Sequence, residues 1–157
     1  MKKNELEGMS NYDLRYIIEY TDKKNEAAAQ LLTQSPTNND LRYIIEYTDK
    51  KNEAGAQLLK NLGESNPPDE EKLIVKIANS VLSRPGSLKQ ESWHCGTSHC
   101  LGGWATIEDE SGMALRIEKA HNTETAGCAV LPNYACYFYR DDNTVLEMLK
   151  TKATIKF

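Results

Sequence analysis

No stretch of this sequence is apolar for long enough to cross a bilayer, which takes about 20 consecutive apolar residues, so no membrane span is expected. The opening MKKNELEGMSNYD places no apolar run after its lysines. No secretory leader is expected from it, and the expected location is cytoplasmic. Basic charge is short as well: 19 Lys and Arg stand against 23 Asp and Glu, giving a net charge of -4 and a pI near 5.4. A phosphate backbone would be repelled overall, and Lys150, Lys152 and Lys156 are too few to reverse that, so nucleic acid is excluded as an expected partner. Cysteine is scarce too, at four residues. In a reducing compartment these are expected as free thiols rather than a disulfide framework, although oxidising conditions would allow a Cys95–Cys100 bond.

What is present is sufficient for a folded core. The 157 residues are 39% hydrophobic and 27% charged, which suits one ordinary domain or a small one preceded by a short repeat array. Repeats are visible: residues 13–32, DLRYIIEYTDKKNEAAAQLL, return at residues 40–59 as DLRYIIEYTDKKNEAGAQLL. The copies start at 13 and 40, a 27-residue period, and differ only at Ala28 against Gly55. Such periods mark stacked supersecondary units.

Within one unit Leu14, Ile17, Ile18 and Thr21 keep helical spacing, as do Ala28, Leu31 and Leu32. The polar run Asp22-Lys23-Lys24-Asn25 separates the two sets, so the spacing predicts a helical hairpin, with Asp13 capping its first helix and Thr21 or Asp22 its second. Alternation of Leu14, Tyr16, Ile18 and Tyr20 also fits a strand. That reading is rejected because two lone parallel strands would leave backbone groups and a sheet face uncovered.

After Pro67-Pro68, Asp69-Glu70-Glu71 opens a run with Leu73, Ile74, Ile77, Val81 and Leu82 on one stripe, a well-formed helix start. Leu101, Trp104, Ala105 and Glu108 predict a helix ending near Ser111-Gly112. Met113, Leu115, Ile117 and Ala120 predict another, ending at His121-Asn122. Thr144 with Glu147 matches a capping box before Val145, Leu146, Met148 and Leu149. The expected fold is all-α: two helical hairpin repeats over 11–66, packed in solenoid fashion on a small helical domain over 67–157.

Chemistry concentrates in Ser92–Trp104, SWHCGTSHCLGGW, which holds both tryptophans, two of the four cysteines and two of the three histidines. His94, Cys95, His99 and Cys100 are competent zinc ligands. On a helix, however, only Cys95 and His99 would share a face, and His121, Cys128 and Cys136 supply no familiar second half-site. As a catalytic pair, Cys95 would sit on a turn capped by Thr97, its thiolate favoured by free helix amides, with His99 as base. This superficially resembles the cysteine–glycine–x–x–cysteine–tryptophan run of papain-like proteases. Here four residues separate the cysteines, and Trp104 does not follow Cys100 directly. The packing reading is favoured over both: cysteine and tryptophan bury well, and the glycines let backbone approach closely.

The stretch resembles a W-H-C-G-T-x-H-C-x-A-G-W signature of small bacterial and phage-borne proteins of uncharacterised activity. It matches at Trp93, His94, Cys95, Gly96, Thr97, His99, Cys100, Gly103 and Trp104, with Gly102 where alanine is commoner. Phe138-Tyr139, Leu146 and Leu149 fit the later part, so the likeness covers about residues 69–152. It implies no activity. The expected function is therefore non-enzymatic binding of a protein partner through the repeat surface. Arg15, Tyr16, Glu19 and Tyr20, with their copies Arg42, Tyr43, Glu46 and Tyr47, are residue types that anchor protein contacts. The alternative is a thiol- or metal-dependent enzyme at Cys95 and His99, or a structural zinc protein. No cofactor is expected under the first reading, and zinc under the last.

Overall fold

The computed structural model describes residues 5–155. Lys156 and the last residue of the expected second domain lie outside them, as do the first four residues of the expected leader-free start. Helices dominate: α1 (Asn11–Tyr20), α2 (Lys24–Leu32), α3 (Asn38–Tyr47), α4 (Lys51–Asn61), α5 (Glu70–Leu82), α6 (Leu101–Glu108), α7 (Met113–Ala120), α8 (Thr123–Val130) and α9 (Asp142–Lys152). The one sheet among the described residues is a hairpin of β1 (His94–Cys95) and β2 (Ser98–His99), and a 3-10 turn spans Ala135–Tyr137. The fold is all-α, as the periodicity predicts. No helix among the described residues is long and apolar enough to cross a membrane.

α1 with α2 and α3 with α4 form the two hairpins; α1 packs on α3, and α3 and α4 pack on α8. α6, α7 and α8 make a second cluster, reached from α5, which also packs on α9. Buried apolar side chains from Leu6 to Leu149 form one contiguous cluster, with Trp104 and Phe138 the largest fully buried members. A fully buried side chain of that kind contributes roughly 3 kcal/mol.

Several expected caps move by one turn. α1 starts two residues ahead of Asp13, so Ser10 is its cap, accepting from the Asp13 N–H at 3.2 Å. In α3 the same register gives a complete capping box: Thr37 Oγ1 accepts from Asp40 N–H, and the Asp40 carboxylate accepts from Thr37 N–H at 2.9 Å. α2 and α4 follow Lys23 and Lys50 with no side-chain cap, because Thr21 and Thr48 instead donate to the preceding helix and accept from those lysine amides. α9 is capped by Asp141 rather than Thr144, whose own N–H and hydroxyl both donate to that carboxylate. Asp69 caps α5.

The single difference between the repeats has a physical reason. A Cβ on Gly55 would sit 3.3 Å from Pro132 Cβ, so the second copy carries glycine where α4 meets the segment after α8. Asn133 continues that contact, donating to Asn52 at 3.0 Å and to Glu70 at 2.8 Å.

Candidate functional site

Three places gather the residue types the sequence singles out. The first is the Cys/His/Trp hairpin. Gly96, at φ 60, makes the left-handed turn between β1 and β2 that side-chain-bearing residues rarely adopt. The turn is closed by backbone pairing, His94 opposite His99 and Cys95 opposite Ser98. The expected helix over this stretch, with Thr97 as cap, is therefore absent: α6 begins at Leu101, and Cys100 is its cap, Sγ accepting from Gly103 N–H at 3.3 Å.

That change of local structure reassigns every proposed ligand. Cys95 does not share a face with His99; it is exposed across from Ser98. His99 instead meets His94, their Nδ1 atoms 2.8 Å apart. His94 Nε2 lies 2.6 Å from Glu118 Oε1 on α7, and the same oxygen accepts from Thr123 Oγ1 at 2.6 Å. An ionised Glu118 places the His94 proton on Nε2, so Nδ1 accepts from His99 Nδ1–H. Burial alone would raise Glu118, but the bonds from Thr123 and His94 outweigh it and hold the carboxyl below its usual range. Burial lowers His99, helped by the neighbouring His94 and opposed by Glu118. Burial raises the Cys100 thiol against the pull of the Gly103 and Gly102 amides.

All four cysteines are free thiols, with Cys100 and Cys128 buried and Cys95 and Cys136 exposed. Among the described residues no three His, Cys, Asp or Glu side chains converge as a ligand set for one metal ion.

The hairpin is fastened to the helices at several points. His99 N–H donates to Ser87 C=O at 2.9 Å, and Trp104 Nε1 donates to the same carbonyl at 3.2 Å. His99 stands edge-on to the Trp104 ring at 5.2 Å. Gly103 passes so close to Trp93 that a Cβ there would lie 2.1 Å from the Trp93 carbonyl oxygen. At Gly102 a Cβ would lie 2.9 Å from Trp93 Cζ3, so glycine lets the indole lie close. Gln90, which no sequence signal marked, holds the approach: its amide donates to Tyr137 C=O at 2.8 Å while its carbonyl accepts from Leu101 N–H at 2.7 Å.

The second place is the junction of the second repeat with α8. Arg42 Nη2 pairs with Glu124 Oε2 at 2.9 Å, Tyr139 donates its hydroxyl to the other oxygen of Glu124, and Cys128 Sγ donates to Glu46 at 3.7 Å. Burial, reinforced by the neighbouring Glu124 and opposed by Arg42, pushes Glu46 up to about 8. Burial likewise raises the Cys128 thiol. Burial and the Glu124 carboxylate raise Tyr139. Arg42 and Glu46 are thus half-buried at this junction, and Glu46 and Tyr47 line a 430 Å³ crevice with Cys136 and Arg140.

The third place is the outer face of α1. Tyr12, Tyr16 and Tyr20 are 70%, 59% and 64% exposed, and with Arg15, Glu19 and Tyr43 they line a 380 Å³ groove. Arg15 pairs with Asp40 at 3.3 Å and lies 5.9 Å and 5.6 Å from the ring centres of Tyr12 and Tyr43. The eight residues proposed as one repeated contact surface therefore divide. Arg15, Tyr16, Glu19, Tyr20 and Tyr43 share the open groove, while Arg42, Glu46 and Tyr47 turn to the C-terminal helices.

No protein-family model, no curated protein and no solved structure matches this chain.

Proposed function

We propose that this chain is a non-enzymatic protein-interaction module whose contact surface is the tyrosine-lined groove on the first repeat. The supporting observation is the concentration of exposed aromatic area there. Tyr12, Tyr16 and Tyr20 follow at four-residue spacing on one helix face, beside a guanidinium and a carboxylate. Tyrosine is among the residue types enriched where protein interfaces draw most of their energy, since it covers much area while losing few rotamers.

A catalytic thiol finds less support, because the hairpin register sets Cys95 opposite Ser98 and gives His99 to His94. A zinc site finds less as well. Cys95 points to solvent while Cys100 serves as a helix cap, so the four proposed ligands do not share a centre.

The test is proximity labelling in cells with the photo-crosslinking residue benzoyl-phenylalanine. Placed at Tyr16, it is expected to give one discrete adduct that Tyr12→Ala with Tyr20→Ala removes, and placed at exposed Lys119 to give none. Equal labelling at both positions, or none at Tyr16, rejects the reading.

A further inference from the structure

The repeats stack by translation, and among the described residues no helix covers the first acceptor face. α1 lies on α3 through Arg15, which pairs with Asp40 and covers the Tyr43 ring, and through Asn11, whose Nδ2 donates to Asp40 Oδ2 at 2.9 Å. Under that cover Asp40 and Ile44 are buried, at 2% and 0% exposure. Their counterparts 27 residues earlier, Asp13 and Ile17, are exposed and half-buried. Tyr47 is 37% exposed, and its counterpart Tyr20 is 64% exposed. Identical residues differ in burial because a helix rests on one set and not on the other.

The arginine at this repeat position reaches forward twice within the chain, Arg15 to Asp40 on α3 and Arg42 to Glu124 on α8. Each time it meets a carboxylate on a helix packed against its own. Asp13 and Tyr16 are the counterparts of Asp40 and Tyr43, the two residues that receive Arg15 from α1, with Ile17 and Tyr20 further along the same helix.

We infer that the open face of α1 receives a helix from another protein, one that presents an arginine as α1 does, with its guanidinium over Tyr16 and paired with Asp13. This rests on the interaction-module reading and names its partner class. An arginine over a tyrosine face and beside a carboxylate is favoured twice, by the ring quadrupole and by the ion pair. The net charge of -4 also favours a basic partner. A second copy of this chain does not fit, because both Arg15 and Arg42 of each copy are already engaged inside it.

The test titrates the full chain with a hydrocarbon-stapled helix of the α1 sequence, NYDLRYIIEY, followed by fluorescence polarisation. Saturable binding is expected, weakened roughly tenfold when the peptide arginine becomes the uncharged citrulline. The same weakening is expected when the protein carries Asp13→Asn or, separately, Tyr16→Ala; both residues are exposed, so neither change threatens folding. Equal binding of the citrulline peptide overturns the arginine requirement. Absence of peptide binding while the Tyr16 photo-adduct persists overturns this partner class and leaves the interaction reading standing; absence of both removes both. A dimer in light scattering that Tyr16→Glu dissociates assigns the face to a second copy and overturns the inference.

Discussion

His94 and His99 face each other across the hairpin with their Nδ1 atoms 2.8 Å apart, a distance that requires a proton on one nitrogen and a lone pair on the other. Glu118 anchors the outer nitrogen of His94. A second proton at His94 Nδ1 would leave two donors in contact, whereas one at His99 Nε2 would keep the bond but place charge in a half-buried ring beside Trp104.

The pair therefore makes the hairpin sensitive to acid. His99 is held below its ordinary value, so the unfolded chain binds the proton more readily, and stability falls as pH drops through about 6.5 towards the lowered folded value. The expected outcome is faster amide exchange at Lys89 and His99 at pH 5.5 than at pH 7.5, after correction for intrinsic rates. His99→Gln should remove the difference. Unchanged protection over that range would refute the lowering of His99 by burial.

Glu46 makes the opposite prediction at the junction. Its folded value near 8 lies above the ordinary carboxylate range, so its stabilising protonated form is fully present below about 4.5 and is lost as pH rises through about 8. Glu46→Gln keeps a donor towards Glu124 and never ionises. Its Tm should exceed that of the parent chain at pH 8 and match it at pH 4.5, as read by calorimetry. A lower Tm at pH 8 counts against the buried neutral acid.

Two glycine substitutions separate close packing from repeat drift. Gly103→Ala places a Cβ 2.1 Å from a backbone oxygen that cannot swing away, and should cost about 3 kcal/mol or more in urea unfolding. Gly55→Ala restores the sequence of the first repeat and meets Pro132 at 3.3 Å, so a cost of about 1 kcal/mol or less is expected. Equal costs would mean that the Trp93 approach is not rigid.

Thiol chemistry offers the simplest check on the packing account. Native protein should release colour from Ellman's reagent for two thiols, Cys95 and Cys136, at ordinary and similar rates, and for Cys100 and Cys128 only on unfolding. Cys95 reacting far faster than Cys136 near neutral pH would revive the catalytic thiol.

Much of the helical content is legible in local pattern. The stripe from Leu73 to Leu82 and the breaks at Ser111-Gly112 and His121-Asn122 read directly as α5, α6 and α7, because amphipathic spacing and capping chemistry act within a few residues. At α1 a carboxylate at the third helical position looks like a cap in sequence, and only the backbone register of Ser10 distinguishes the two, whereas at α2 Thr21 is drawn back onto the preceding helix. The Ser92–Cys100 stretch misleads differently. Its turn is set by Gly96, but its hairpin is held by partners outside it: His99 bonds Ser87 and Lys89 through the backbone and stands against the Trp104 ring.

By itself, then, the sequence determined the helices, the 27-residue period and the abundance of tyrosine at fixed positions within it, since each follows from spacing along one chain. Tertiary structure decided which copy of each tyrosine, arginine and glutamate is buried. Glu118 beside His94 and Glu124 beside Arg42 are 24 and 82 residues away in the chain, and such pairings arise only when separate helices compete for the same apolar cover. Identical segments acquire different roles because, among the described residues, α3 has helices packed on both sides whereas α1 keeps exposed tyrosines on one.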